Sequence, residues 1–343
     1  MAVAEARCIC GHFAFVTEDA ALAAAEWLGR GDGLAADAAA RGAMAAGLAQ
    51  VPVRGQVVAG RGGTSDCTVL CVGQETGSRT GPWLGLDGWV TDADGGPETW
   101  DIVVDPLQAH KSLAIGTDGA LAVLAAGPAG SLMHVPEMYM QKLIVPSAAA
   151  GAADFDAPVA KNIKAVAAAL GRRPEDLLVV VLDRPRHEVL VKEVREAGAR
   201  VRLIPDGDVS AGIAVAAGDP GVDMYIGIGG STEGILAAAA LRCMGGEILA
   251  RFWPVSRHQV DALTQAGIEN VEKVFSTRDM AGDGVLFCAT AVTGGRFLRG
   301  VQVRPEGIRT ETLLLCSSCH TVRKIISTHR SDNDGPQVSL GAR

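Results

Sequence analysis

The chain has 343 residues, of which 48% are hydrophobic and 20% are charged, and its formal net charge is −8. Without a clustered lysine or arginine tract, this charge argues against a nucleic-acid surface. No apolar run approaches the roughly 20 residues that a membrane-spanning helix needs, so we expect no membrane partner. The first twenty residues lack the basic and apolar pattern of a secretory signal, which predicts a cytoplasmic protein.

The cysteines also favour a cytoplasmic protein. Eight cysteines spread over this length do not resemble the disulfide framework of a short secreted chain, so most are predicted to be reduced thiols. Cys67, Cys71, Cys243 and Cys288 lie in apolar or strand-like stretches and are interpreted as core residues.

The N-terminal part predicts helices followed by strands. Thr17 is a candidate N-cap for a helix that ends near Gly29, and a second helix is expected from about Ala35 to Leu48. The stretches GQVVAGRGG, CTVLCVG, WDIVVDPL and GALAVLAAG then predict strands. Residues 77–98 show no periodicity and are expected to form a surface loop.

From residue 159 onward, predicted helices alternate with the predicted strands DLLVVVLD, RVRLIPDGD and VDMYIGIGG, which is the pattern of a parallel sheet. The last third reads as a strand meander, and the tail from Ser331 is expected to be disordered. The sequence therefore predicts an α/β protein. We expect an α+β part over residues 1–150, an α/β part over 151–330 and a disordered tail over 331–343.

Polar residues collect where these strands end, which is where open α/β sheets bind ligands. Arg184 and Arg186 follow one strand, and paired guanidinium groups suit a phosphate. An Asp206-Gly207-Asp208 turn follows the next strand. GIGGSTEG, at residues 227–234, joins glycines that allow close backbone approach to a helix N-terminus that can bind an anion.

Six stretches resemble, in chain order, motifs of the class II fructose-1,6-bisphosphatase family, some members of which also act on sedoheptulose-1,7-bisphosphate. They are GRGD, VPEMYMQKLIV, DRPRHEVL, IPDGDV, GIGGSTEGILAAAALRCMGG and TETLLL with HTVRKIISTH. The resemblance spans residues 17–329. It implies the layered fold of the lithium-sensitive sugar phosphatases, a site between two parts, and a homo-oligomer, either a dimer or a tetramer.

The resemblance also implies roles at matching positions. Residues implied to hold the substrate are Tyr139, Arg184 and Arg186 for the phosphate that is not cleaved, Asp206 and Asp208 for sugar hydroxyls, and Gly229, Gly230 and Ser231 near the scissile phosphate. Residues implied to hold metal are Asp37, Asp105 and Glu233. Arg184 stands where the family usually has lysine.

Other family positions are changed. Gly31-Asp32-Gly33-Leu34 lacks a lysine of the family's Gly-Asp-Lys-Asn motif. Gly60-Arg61-Gly62-Gly63 carries an arginine where a metal-binding glutamate is usual. Asp105-Pro106-Leu107-Gln108-Ala109-His110 lacks a second metal acid and the threonine that orients water.

These changes remove negative charge from a site that should collect divalent cations. Mg²⁺ prefers carboxylate oxygens, and one unit charge about 4 Å away is worth roughly 4 kcal/mol at an effective dielectric near 20. We therefore expect a single Mg²⁺ or Mn²⁺ ion at most, or none. Arg61 is a candidate phosphate ligand, and His110 is a candidate general acid or base, with Asp105 and Asp37 completing the catalytic face.

Two functions remain open at this stage. The first is hydrolysis of a phosphorylated ketose with reduced metal use, with isomerisation, elimination or carbon–carbon bond chemistry as alternative reactions. The second is a catalytically inactive pseudophosphatase that binds sugar phosphate as a sensor or partner subunit.

Cysteines and histidines also occur at metal-like spacing near both ends of the chain. If the ends meet, Cys8, Cys10 and His12 with Cys316, Cys319 and His320 supply the soft ligands of a zinc site. The alternative is that these cysteines belong to the core. A haem attachment at Cys316-Ser-Ser-Cys319-His320 is the weaker interpretation, because nothing in the sequence indicates export.

Overall fold

The computed structural model describes residues 8–60, 67–78, 99–217, 221–295 and 297–330. The helices are α1 His12–Ala25, α2 Gly33–Leu48, α3 His110–Ala114, α4 Val159–Ala169, α5 Glu188–Glu196, α6 Asp208–Ala216, α7 Ser231–Met244, α8 Arg257–Gln265 and α9 Thr277–Met280. The strands are β1 Arg54–Gly60, β2 Glu75–Thr76, β3 Thr99–Gln108, β4 Leu121–Pro128, β5 Tyr139–Val145, β6 Leu178–Leu182, β7 Arg200–Ile204, β8 Met224–Gly230, β9 Glu247–Phe252, β10 Leu286–Ala291, β11 Gln302–Arg304, β12 Gly307–Cys316 and β13 Thr321–His329. No helix within these ranges combines the length and apolar character needed to cross a membrane.

Within the described residues, an eight-stranded mixed sheet combines strands from both ends of the chain. Its order is β11-β12-β10-β4-β3-β1-β2, and β13 pairs with β12. Only β1 and β3 run parallel; the other pairs are antiparallel. The helix α1 packs against β3, β4, β10 and β12, and α2 packs against α1 and β3. Their core includes Phe13 stacked on Trp100, with ring centroids 5.8 Å apart.

The second sheet has the strand order β7-β6-β8-β5-β9. The strand β6 is parallel to β7 and β8, whereas β5 is antiparallel to β8 and β9. The helix α7 packs against strands of both sheets, and α6 packs beside it. One buried cluster joins Val103 and Phe287 of the first sheet, Leu236 of α7 and Tyr225 of the second sheet. The predicted layered α/β fold is therefore confirmed.

The start of the first helix was predicted wrongly. The helix α1 begins at His12, so Thr17 is an interior residue, and its buried hydroxyl donates to the Ala14 carbonyl at 3.0 Å. The second helix has the expected kind of cap, because the Asp32 side chain accepts from the Ala35 N–H at 2.9 Å. An acid that satisfies a free N–H at a helix start is a standard N-cap.

The predicted strand CTVLCVG is also wrong, and so is the assignment of two of its residues to a reduced core. Cys67 and Cys71 are half-buried and form a disulfide across this short stretch. Leu70 between them has φ 58°, which a strand does not allow. The other two cysteines assigned to the core are thiols, with Cys288 buried and Cys243 half-buried.

The strands of the two sheets are not separated by the predicted boundary at residue 150. The strand β5 lies before that position but belongs to the second sheet, and β10 to β13 lie after it but belong to the first. The second sheet is only partly parallel because β5 and β9 join it antiparallel to their neighbours. The division into domains stays a prediction, and the tail over 331–343 lies outside the described residues.

His187 joins two strands that are parallel neighbours. Its Nδ1 lies 2.8 Å from the Leu182 carbonyl oxygen of β6, and its Nε2 accepts from the Ile228 N–H of β8 at 2.8 Å. Only a neutral imidazole can donate at one nitrogen and accept at the other. Burial lowers the pKa of His187, and the charges of Arg186 and Arg184 lower it further.

We predict that this histidine makes the protein less stable in mild acid. Because its pKa is lower in the folded than in the unfolded protein, the unfolded chain binds more protons as pH falls below about 6.5. The stability contribution is therefore present above that pH and is lost as pH falls through the folded pKa. Urea unfolding at pH 7.5 and 5.5 should show a smaller pH effect for His187→Gln than for the native protein. An equal effect in both proteins would contradict the assignment.

Candidate active site

The site begins where β3 leaves the first sheet. Gly60 is the last residue of β1 paired with β3, so Pro106 removes no hydrogen bond from that pairing. The register between β3 and β4 shifts between Asp105 and Gln108. Asp105 is fully buried and Gln108 is 2% exposed. The shift thus places two polar side chains inside the protein at the end of a central strand.

Gln108 faces the other half of the predicted site. Neither amide atom of its side chain has a hydrogen-bond partner among the described residues. A β-carbon built on Gly207 would lie 4.0 Å from Gln108 Oε1, so the amide lies near the Asp206-Gly207-Asp208 turn. A buried amide without hydrogen-bond partners costs roughly 1–3 kcal/mol of stability. A ligand that hydrogen-bonds to Gln108 would remove this cost.

His110 and Gly33, two departures from the family motifs, are in contact. Ala109 adopts a left-handed conformation with φ 58°, and His110 then begins α3. A β-carbon at position 33 would lie 2.9 Å from the His110 carbonyl oxygen and 3.0 Å from its Cδ2. Glycine at position 33 therefore accommodates this turn, and any larger residue requires the β3–α3 connection to move.

Asp37 and Arg61 are the remaining candidates from the N-terminal part of the chain. Arg41, one helical turn along α2, donates to Asp37 Oδ2 at 3.0 Å, which sequence reasoning missed. This pairing offsets the negative charge expected of a metal ligand. Asp37 Oδ1 is buried without a hydrogen-bond partner among the described residues. Arg61, the candidate phosphate ligand, lies outside the described residues.

The glycine loop after β8 fits closely against acidic side chains. A β-carbon on Gly229 would overlap the Asp208 carboxylate, and one on Gly230 would overlap the Glu233 carboxylate. Both glycines therefore leave room for these carboxylates beside the backbone. Ser231 is fully buried: it accepts from the Met138 N–H at 3.1 Å and donates to the Pro136 carbonyl at 2.9 Å. Its hydroxyl serves this turn, which was not expected.

A buried ion pair lies beside this loop. Lys142 Nζ of β5 lies 2.6 Å from Asp208 Oδ2 at the start of α6. The two side chains are 1% and 7% exposed. A β-carbon on Gly229 would also lie 3.1 Å from Lys142 Nζ. Lys142 was not singled out from the sequence, although it lies in the recognised stretch VPEMYMQKLIV.

Arg186 and Tyr139 stack on each other near the end of β8. The Arg186 guanidinium carbon lies 4.7 Å from the Tyr139 ring centroid, and Nη2 donates to the Ile228 carbonyl at 2.8 Å. Stacking on an aromatic ring holds the planar guanidinium in place for an anion. Arg184 is oriented differently, because its Nη1 donates to the Asp183 carbonyl at 2.8 Å. Asp206 Oδ1 accepts from the Gly207 N–H at 2.9 Å.

Tyr225 lies beneath the loop. It is fully buried, and its hydroxyl has no hydrogen-bond partner among the described residues. Burial raises the pKa of Tyr225 well above its usual value, and the carboxylates of Asp208 and Glu233 raise it further. The phenol therefore stays neutral, and it is a polar group of the site that sequence reasoning missed.

Among the described residues, the three acids that the resemblance implies as metal ligands are not gathered into one group. Among the described residues, the only group of three or more His, Cys, Asp or Glu side chains that could hold a metal ion is a cluster of four cysteines. Asp37, Asp105 and Glu233 form no such group. With Gln108 in place of an acid and Arg41 on Asp37, these residues do not fit a centre of two or three ions.

A cavity of about 250 Å³ opens next to the site. Ala109 and Asp206 lie on its wall, and most of the other wall residues are apolar, including Ile204, Leu121 and Phe297. Arg186 and Tyr139 do not line it. The cavity is thus adjacent to the polar site but is a separate, mainly apolar space.

The family is decided by comparison with known proteins. Residues 7–329 match the family model described as "Bacterial fructose-1,6-bisphosphatase, glpX-encoded". The chain belongs to the class 2 fructose-1,6-bisphosphatase family. The fold agrees with this membership, and the sequence motifs that suggested it are confirmed as a family resemblance.

Curated relatives match this class 2 bisphosphatase family member over nearly their whole length. A D-fructose 1,6-bisphosphatase class 2/sedoheptulose 1,7-bisphosphatase of Synechococcus sp. (strain JA-2-3B'a(2-13)) is 40% identical over 94% of this chain and 95% of its own. A fructose-1,6-bisphosphatase 1 class 2 of Escherichia coli (strain K12) is 38% identical over 96% and 97%. A fructose-1,6-bisphosphatase class 2 of Haemophilus influenzae is 36% identical over 95% and 97%.

We predict that breaking the Lys142–Asp208 pair from one side destabilises the protein strongly. Lys142→Met leaves a buried carboxylate without its cation, which typically costs about 3–5 kcal/mol. Chemical unfolding should show this loss, and the double variant Lys142→Met/Asp208→Leu should recover most of it. Lys161→Ala removes an ion pair whose side chains are 68% and 60% exposed and should cost less than about 1 kcal/mol. Similar losses in Lys142→Met and Lys161→Ala would refute the assignment.

Proposed function

We propose that this chain hydrolyses a phosphate ester of a phosphorylated ketose related to fructose or sedoheptulose bisphosphate, with one Mg²⁺ or Mn²⁺ ion at most. The observation that carries the proposal is the arrangement around the end of β8. Arg186 is stacked on Tyr139 on one side, and Lys142 is paired with Asp208 beside Gly229 on the other. A cationic wall next to a wall of carboxylates suits a molecule that carries both phosphate and hydroxyl groups.

The proposed roles follow from position. Arg186, held over Tyr139, binds the phosphate that is not cleaved, and Arg184 contributes from the same turn. Asp206 and Asp208 accept hydrogen bonds from sugar hydroxyls, while Lys142 holds the Asp208 carboxylate in place. Gly229, Gly230 and Ser231 form the loop near the scissile phosphate, where the two glycines leave room for the Asp208 and Glu233 carboxylates.

At the reacting phosphate, the proposal relies on Asp105, Gln108 and His110 at the end of β3. His110 transfers a proton to or from the reacting oxygen, as its residue type allows near neutral pH. The Gln108 amide, which lacks partners among the described residues, donates to a phosphate oxygen. Arg61 is proposed as an additional phosphate ligand. Any remaining divalent ion would be held by Asp105 and Glu233, with Asp37 as a third acid.

The family supports the reaction class in this proposal. The curated relatives named above are bisphosphatases by name, and they match this chain over more than nine tenths of its length. The departures at Gly33, Arg61, Gln108 and His110 support the reduced metal use. We also propose a cytoplasmic homo-oligomer, in keeping with the sequence expectations. A sugar-phosphate-binding protein without turnover is the second candidate, because the same departures remove metal acids.

The first test is a panel of sugar mono- and bisphosphates, each incubated with the protein in the presence of EDTA, Mg²⁺ or Mn²⁺. We expect phosphate release from a ketose bisphosphate, with less than about a tenfold dependence on added metal; product analysis by chromatography and mass spectrometry would detect isomerisation or cleavage of the carbon chain. Arg186→Ala should raise KM roughly 10- to 100-fold, since a hydrogen bond to a charged group is worth about 1.5–3 kcal/mol.

The matched control is Arg257→Ala, because the Arg257 side chain is 91% exposed on α8 and should leave KM unchanged. Equal effects of the two arginine variants would contradict the binding site. Binding of a ketose bisphosphate by calorimetry, with neither phosphate release nor another product, would favour the second candidate function.

The second test restores the family residues. Arg61→Glu, Gln108→Glu and His110→Thr are combined, and hydrolysis is measured with and without Mn²⁺. We expect metal-free hydrolysis to fall about 10²-fold or more, because proton transfer by a positioned side chain contributes about that much, and we expect the remaining rate to depend on Mn²⁺. An unchanged rate would contradict the roles of these positions. A gain of activity over an inactive native protein would indicate a degenerate site.

A further inference from the structure

Four cysteines from opposite ends of the chain meet at one place. Cys8 and Cys10 lie in the short turn before α1, and Cys316 and Cys319 lie on the hairpin between β12 and β13. Their four sulfur atoms all lie within 4.8 Å of one another. The sequence suggested such a meeting only if the two ends of the chain adjoined, and the fold brings those ends together. We propose that these four cysteines bind one structural Zn²⁺ ion.

The distances between sulfurs are those of a tetrahedral thiolate site. A Zn–S bond of about 2.3 Å in a regular tetrahedron places neighbouring sulfurs roughly 3.8 Å apart. Cys8 Sγ lies 3.6 Å from Cys316 Sγ, and Cys10 Sγ lies 3.7 Å from Cys319 Sγ. Because the remaining pairs are also within 4.8 Å, small side-chain movements suffice to surround one ion. Four thiolates with no open position are the ligand set of structural rather than catalytic zinc.

The hairpin holds two of the ligands in place without the ion. The pairing of Cys316 with Thr321 closes a four-residue loop that contains Cys319. His320, which follows Cys319, has φ 49° in the left-handed region and turns the chain back into β13. The group of ligands includes neither His12 nor His320, so the mixed cysteine and histidine site considered from the sequence is replaced by four cysteines.

The surroundings suit a negatively charged centre. Four thiolates exceed the charge of one Zn²⁺ by two, and the Arg323 guanidinium donates from Nη1 to Cys10 Sγ at 3.4 Å. Thr321 Oγ1 lies 3.5 Å from Cys319 Sγ. Hydrogen bonds of this kind orient ligands and stabilise thiolates. Cys10 and Cys316 are buried while Cys8 is exposed, which leaves a path by which the ion can enter.

The cluster is separate from the site around Asp105. Cross-strand pairing aligns Cys316 with Leu286, Leu286 with Ala126, and Ala126 with Ile102. Three strand spacings and three residues along β3 then place Asp105 on the order of 17 Å away. The proposed ion therefore takes no part in phosphate chemistry, and it fastens the turn before α1 to the last hairpin.

Oxidation to two disulfides is the competing fate of these thiols. Two independent disulfides need only two close pairs, whereas here all four sulfurs are mutually close. The structure contains a disulfide between Cys67 and Cys71, but it leaves these four cysteines as thiols. The mutual closeness of four thiols is what a single ion requires, so the geometry favours metal.

The test uses the full-length protein, produced with zinc in the medium and purified without chelator. Elemental analysis should find about one zinc ion per chain, and Cys316→Ser/Cys319→Ser should lower this below about 0.1. Cys243→Ser is the matched control, because Cys243 is a half-buried thiol outside the cluster, and its zinc content should equal that of the native protein.

A second measurement uses the native protein, so it tests the zinc site even if the double variant does not fold. Native protein stripped of metal under reducing conditions is titrated with Co²⁺, and we expect intense visible absorption and sulfur-to-metal charge transfer that saturate at one equivalent and disappear on adding Zn²⁺. Removal of zinc should lower the melting temperature without abolishing binding of sugar phosphate. Cobalt spectra without thiolate bands, disulfides among these cysteines in freshly isolated protein, or iron in their place would overturn the proposal.

Discussion

The buried ion pair between Lys142 and Asp208 constrains the rest of the site. It joins a strand of the second sheet to the first residue of α6. The pair lies so close to Gly229 that a side chain at position 229 would overlap it. Since both charges are almost fully removed from water, neither can leave the pair without a large penalty. The Asp206–Asp208 turn is therefore fixed relative to β5 and β8 before any ligand arrives. A turn that is held in place before binding is the preorganisation that the proposed sugar-phosphate site requires.

Three of the departures read from the sequence, at Gly33, Gln108 and His110, involve neighbouring parts of the described structure. Gly33 and His110 are in contact, and Gln108 lies two residues before His110 with its amide near Gly207. Gly33 lies in α2, Gln108 at the end of β3 and His110 at the start of α3, so separation in the sequence hides the closeness of Gly33 to His110. Tyr139 and the glycines at the end of β8 belong to the second sheet.

Much of the fold followed from hydrophobic periodicity and turn residues, as in α4 and β6. The errors have physical causes. Thr17 resembles an N-cap, but tertiary packing extends α1 back to His12, and CTVLCVG is apolar enough for a strand although Leu70 has a positive φ. In the site, motifs located Arg186, Tyr139 and the glycines. Lys142 was not predicted because the sequence around a lysine in an apolar strand shows neither its burial nor its ion-pair partner. The four cysteines could be assigned to one group only from the structure, which brings the turn before α1 next to the β12–β13 hairpin.

The first sheet draws its strands from both ends of the polypeptide, and this has a consequence for synthesis. The edge of β4 that β10 covers in the finished protein is exposed on the ribosome until residue 286 emerges. That wait covers roughly 160 residues, or about 8 to 30 seconds at 5–20 residues per second. During this interval, an apolar strand edge is open to pairing with other chains. The nascent chain is thus open to strand pairing with other chains until β10 has been synthesised and pairs with β4.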